Sequence, residues 1–187
     1  MNTVRIPAVI FFPLFLIVGG CSLNYDESDP VSEFDKEIPV SILTNFKYLK
    51  IKNGLPVFKI SAIRAESYDK KKETRMEKVS FWEYDNAGKV VTEGKADRAV
   101  YYIETEDAEF SGNLYFYSTS EETKIYGSYL FWDSSETTLT GKPGESVSLT
   151  TDSGSKISGK GFKADAGNRK IEFSEETKGE YVYEEEK

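Results

Sequence analysis

"FWEYDNAGKVVTEGKADRAVYY", residues 81 to 102, is the stretch that decides the fold. Phe81, Trp82 and Tyr84 at one end, and Val100, Tyr101 and Tyr102 at the other, suit a pleated and half-buried surface. Between them Asp85-Asn86-Ala87-Gly88 combines an acid that can bond its own backbone with a glycine that tolerates positive φ. That order predicts a strand, a tight turn and a return strand. The same texture extends in both directions, through "VFKISAI" (57–63), "NLYFYS" (113–118), "KIYGSYLFW" (124–132), "SVSLTT" (146–151) and "KIEF" (170–173). "DAGN" (165–168) is a second clear turn. No window beyond the N-terminal region carries a 3.6-residue apolar period. "SYDKKKETRMEK" (67–78) reads as a charged loop and strand edge rather than a helix. The domain is expected to be all-β.

A repeat runs through these strands. "SAIRAESYD" from Ser61, "GKADRAVYY" from Gly94, "GSYLFWDSS" from Gly127 and "GKGFKADAG" from Gly159 start 33, 33 and 32 residues apart. Each opens on a small residue, and Ala65, Ala99 and Ala164 align to within one place. A second strand follows each opening strand, as in "AEFSGNL", "TTLTGKP" and "IEFSEE". Strand-turn-strand units of about 33 residues bury their apolar faces only by stacking on neighbours.

The N-terminus is a different kind of segment. Arg5 precedes an apolar run from Ile6 to Val18, and Val18-Gly19-Gly20-Cys21 places small residues ahead of the chain's one cysteine. The run is short for a bilayer core of about 30 Å, which takes ~20 helical residues. Residues 1–20 therefore read as a signal peptide, and Val18 to Cys21 resembles a bacterial lipobox, with Cys21 the lipid attachment point. Residues 21–40 then form a polar, acidic tether, 41–183 the β-domain and 184–187 a frayed tail.

Composition excludes several functions. The formal net charge is −8, with no polybasic cluster, so no nucleic-acid partner is expected. A single cysteine allows no disulfide within the chain. The absence of histidine removes Ser-His-Asp and Cys-His catalysis and histidine zinc sites. "GKPGES" (141–146) lacks the ending of a P-loop and reads as a turn. A two-carboxylate glycosidase stays formally open, but the acids fall mostly at turns and alternate strand positions. No enzyme activity, cofactor or metal is expected.

Taken together, "NGLPVFKISAIRAESYD", the stretch quoted first, "FSGNLYFYS", "YGSYLFWD", "LTG" and "GKGFKAD" resemble the periplasmic LptC family of lipopolysaccharide export, over roughly residues 45–183. The resemblance implies an open, V-shaped antiparallel β-jellyroll whose apolar interior carries acyl chains. It also implies a place between an inner-membrane ABC exporter and a periplasmic LptA-like bridge protein leading to the outer membrane. Typical members are held by an uncleaved transmembrane helix, whereas this chain looks lipid-anchored at Cys21. The expected location is the periplasmic face of the inner membrane, with the outer membrane as the alternative.

Alternation then selects the side chains that face the trough. They are Ile60 and Ala62, Phe81, the set Phe110, Leu114 and Phe116, then Leu139, Val147 with Leu149, and Ile171 with Phe173. Asn45 to Lys52 and Ile171 to Tyr183 are the candidate edge strands, the first facing the exporter and the second the bridge protein. Two other readings stand beside this one: an LptA-like bridge component, and a surface lipoprotein that binds an external partner without lipid transfer.

Overall fold

The computed structural model describes residues 37–182. The signal-peptide and lipobox assignments, Cys21, almost all of the tether, and the tail from Tyr183 lie outside the described residues.

The opening stretch folds as read. Glu73–Tyr84 (β3) and Val90–Tyr102 (β4) pair antiparallel across the Asp85 turn. One Asp85 carboxylate oxygen accepts the backbone N–H groups of Ala87 and Lys89 at 2.8 and 2.9 Å. Eight more strands continue the pattern: Ser41–Lys52 (β1), Leu55–Tyr68 (β2), Ala108–Ser118 (β5), Thr123–Asp133 (β6), Thr138–Gly141 (β7), Ser146–Thr151 (β8), Lys156–Asp165 (β9) and Lys170–Glu180 (β10). A short 3-10 turn at Asp69–Lys71 separates β2 from β3, so the charged stretch at 67–78 is loop and strand, as its sequence predicts.

All pairings are antiparallel, and sequence neighbours lie side by side from β1 to β7. Strands β7 and β8 both pair with β6 and with β9, so they fill one lane of the sheet in two pieces. Among the described residues, strand β1 pairs only with β2, and β10 only with β9. The sheet therefore does not close. It is an open antiparallel jellyroll, as the resemblance implies.

A simple alternation does not survive along the whole strand. The core-facing residues step by three, not two, from Ala62 to Ala65, from Val79 to Met76 and from Ala96 to Ala99. Backbones in the left-handed region sit at the same level: Asn45, Lys78, Gly112, Asn113, Gly161 and Glu176. Pairing registers shift there too, between Lys95 and Arg98, Ser111 and Leu114, and Glu175 and Lys178. Lined up across the strands, these bulges make a crease that crosses the sheet, and the break between β7 and β8 falls on it. Gly112 and Gly161 are glycine for a stated reason. Their φ values are +74° and +63°, and an added Cβ would lie 2.8 Å from Asp97 Oδ2 or 1.8 Å from Ser174 Oγ.

Candidate acyl-chain trough and its open edges

Ladder partners point to the same face, so the registers define rows that run from edge to edge. One row passes through Tyr48, Ile60, Phe81, Gly94, Phe116, Ile125 and Leu149. Beyond the crease another passes through Leu43, Ala65, Met76, Ala99, Phe110, Leu130 and Gly141. Beside the crease lie Ala62, Val79, Ala96, Leu114 and Val147, all buried. Small side chains line the crease, and rings and branched aliphatics stand on either side of it.

The rings converge over that floor. Phe81 lies 5.6 Å from Phe110 and 5.0 Å from Phe116, and Phe110 meets Phe116 edge-on at 5.2 Å. Phe58 extends the group at 5.9 Å from Phe81. These separations fall within the favourable range for aromatic pairs. Phe110 also packs against the buried set of Ala62, Ala65, Met76, Val79 and Ala99, so it joins the two sides of the crease. Gly94 permits this arrangement, because a Cβ there would come within 2.2 Å of the Phe81 ring. Gly159 does the same for Phe173, whose ring packs 5.5 Å from that of Phe162. Two of the four repeat starts thus share a physical basis: Gly94 and Gly159 leave room for a ring carried by the adjacent strand, whereas a Cβ at Gly127 would meet Val147 at an ordinary 3.6 Å. Ser61 is out of phase with them. Ile60 occupies that row, and Ser61 faces outward between Lys47 and Ser80.

Nearly all the residues expected in the trough are brought together. Phe81, Leu114, Phe116, Val147 and Leu149 are buried in one cluster, with Ile60, Phe110, Leu139 and Phe173 packed against it. Ala62 belongs to the adjoining cluster. Ile171 differs from the others in its exposure. It faces the same side as Phe173 but stays 48 % exposed, because β10 has no neighbour beyond it and its ladder partner is only Ala164. Sequence reasoning missed Leu130 and Phe162, two of the most deeply buried side chains. It missed Ala65, Met76, Val79, Ala96 and Ala99 as well. The alignment of Ala65 with Ala99 was the available signal, and the step of three at the crease hid the rest.

The opposite face is polar and ion-paired. Tyr117 donates to Asp152 at 2.7 Å, Lys124 pairs with Asp152 at 2.6 Å, and Lys59 sits over the Trp82 ring. At the crease, hydrogen bonds from Lys78 and then from Asn113 hold the Asp97 carboxyl below its ordinary value. Such exposed pairs contribute little to stability individually. Their effect is to keep this face wet while the other stays apolar.

The two edges differ. Strand β1 is exposed along its length except at Phe46, and presents Ile42, Leu43, Tyr48, Leu49 and Ile51. Strand β10 exposes mainly Glu and Lys, with Phe173 partly covered. The segment after β10 adds no ladder among the described residues. Val182 N–H donates instead to Ser155 Oγ at 3.1 Å.

The sheet thus has an apolar inner face and, among the described residues, no strand beyond β1 or β10. A comparison with curated proteins gives no match. The family model described as "Lipopolysaccharide-assembly, LptC-related" matches residues 10–182. The family's work is lipopolysaccharide transport in the cell envelope. The chain belongs to the LptC family.

Proposed function

We propose that this protein is a membrane-anchored periplasmic carrier that receives lipopolysaccharide or a related glycolipid from an ABC exporter and passes it to an LptA-like bridge protein. One observation carries the reading: the apolar rows run without a polar interruption from Ile60 on β2 to Leu149 on β8, and exposed Tyr48 extends them to the β1 edge. An acyl chain moving along them passes between similar apolar contacts and leaves the sugar and phosphate in water. The free-energy steps are then small, and the drive comes from the exporter's ATPase. Cys21 carries the lipid anchor, and residues 22–40 tether the domain at the periplasmic face of the inner membrane. Strand β1 adds to a strand of the exporter, and β10 to a strand of the bridge protein.

A photo-crosslinker at Phe110 in living cells tests this. Capture of glycolipid at Phe110 and none at Lys70 or Lys72, which lie at the turn before β3, is the expected result. Equal capture at both positions would remove the trough from the account. Replacing Cys21 with Ala should abolish labelling by a clickable fatty acid. Label that persists would remove Cys21 as the anchor.

A further inference from the structure

On the polar face of the crease, side chains from three consecutive strands meet at Asp97. Lys78 Nζ of β3 donates to Oδ1 at 2.7 Å, and Asn113 Nδ2 of β5 donates to Oδ2 at 2.5 Å. Lys78 and Asn113 are two of the left-handed residues that form the crease, with φ of +50° and +46°. Gly112 keeps the seat open, since a Cβ there would lie 2.8 Å from Asp97 Oδ2. A single carboxylate thus ties β3 to β5 across β4, where the β4–β5 register shifts.

On the opposite side of the same place β4 itself carries only small groups, with Val79 and Leu114 buried on the neighbouring strands. Ala96 and Ala99 flank the crease on β4, and both are buried. On β4 these methyl groups leave little to resist a change of angle between the two parts of the strand. The rings that meet above them come from both parts, Phe81 from one and Phe110 from the other, and their separation follows that angle. The tie itself is exposed enough to yield: the Lys78 side chain is 63 % accessible and competes with water and salt.

We propose that Asp97 is a positioning residue that sets the width of the trough, holding the Phe81 and Phe110 rings together until an acyl chain parts them. The inference rests on the carrier reading for its ligand, while the clasp rests on geometry alone. No other carboxylate in the described residues bonds two crease residues of neighbouring strands.

Pulsed electron-spin distance measurements test it on the purified full-length protein with Cys21→Ser. Spin labels go on Ala87→Cys, in the β3–β4 turn, and Thr105→Cys, in the β4–β5 turn at the other end of the strands. Asp97→Ala should lengthen and broaden the distance distribution, and high salt should move the parent protein the same way. Asp97→Asn, which keeps one hydrogen bond, should fall between. Asp97→Ala with a lower melting temperature and an unchanged distribution would make the residue a static brace and overturn the proposal. The second arm adds a photo-crosslinker at Phe110, where Asp97→Ala should change the yield of captured glycolipid. A wider distribution with no capture at Phe110 in either protein would uphold the clasp and overturn its role in admitting lipid. It would thereby separate a failed carrier reading from a failed clasp.

Discussion

The first and last strands of the sheet hold equivalent places, yet they are built from opposite materials. Strand β1 has Lys47, Lys50 and Lys52 and no acid, and aliphatic side chains stand exposed along it. Strand β10 carries Glu172, Glu175, Glu176 and Glu180 against Lys170 and Lys178. Among the described residues, both present a row of backbone groups without a ladder partner, which in an unprotected protein leads to aggregation. On β10, charge supplies the protection. On β1 three lysines share that task with exposed Ile42, Leu43, Tyr48, Leu49 and Ile51, and an edge with so much exposed apolar surface is harder to keep soluble without a partner. The difference gives the sheet a direction: a sticky, basic end and a guarded, acidic end cannot exchange roles.

The largest test of that direction removes one end. Deleting residues 169–187 takes away β10 and should abolish capture of a bridge-protein partner from detergent extracts while leaving membrane attachment unchanged. Circular dichroism beside the pull-down separates lost docking from lost folding. Full binding by a folded truncation would transfer onward docking to β1.

Within β10 the contrast continues on a smaller scale. Phe173→Ala removes a ring packed on Phe162, and about 2–4 kcal/mol of stability should go with it. Ile171→Ala on the same face should cost under about 0.5 kcal/mol, as surface substitutions do. Urea titrations measure both. Equal losses would mean that the β10 edge is covered in solution.

Charge should have the smallest effect. Lys47→Glu with Lys50→Glu on β1 should slow association with the exporter about tenfold at low salt, and added salt should erase the difference. Association rates at two ionic strengths check this. A salt-independent loss would point to packing by Leu43 and Tyr48 in place of steering.

Much of this was legible before any coordinates. Alternating β-branched and aromatic residues around Asp-x-x-Gly turns announced the strands, and short turns between consecutive strands left antiparallel neighbours as the simplest topology. The trough followed from alternation wherever the alternation held, as for Leu114 with Phe116 and Val147 with Leu149. It stopped being legible at the crease. Lys78 gives no sequence warning that it adopts a left-handed backbone, and Asn45, a type that tolerates one, sits inside an otherwise extended run, so the step from Val79 to Met76 or from Ala62 to Ala65 could not be counted from the pattern. The exposure of Ile171 was hidden for another reason. Its face was right, but whether a neighbour covers that face depends on where the sheet ends. The split of β7 from β8 was hidden as well, because "LTGKPGESVSL" looks like two strands and a turn without showing that both occupy one lane.

The central claim is that the two edges face different partners with a lipid path between them. Photo-crosslinkers at Tyr48 on β1 and at Ile171 on β10, both exposed and both on the inner face, test it in one experiment in living cells. Tyr48 is expected to capture an exporter subunit and Ile171 a bridge protein, with glycolipid at both positions only while ATP is available. The same protein captured at both edges, or glycolipid at neither, would contradict it.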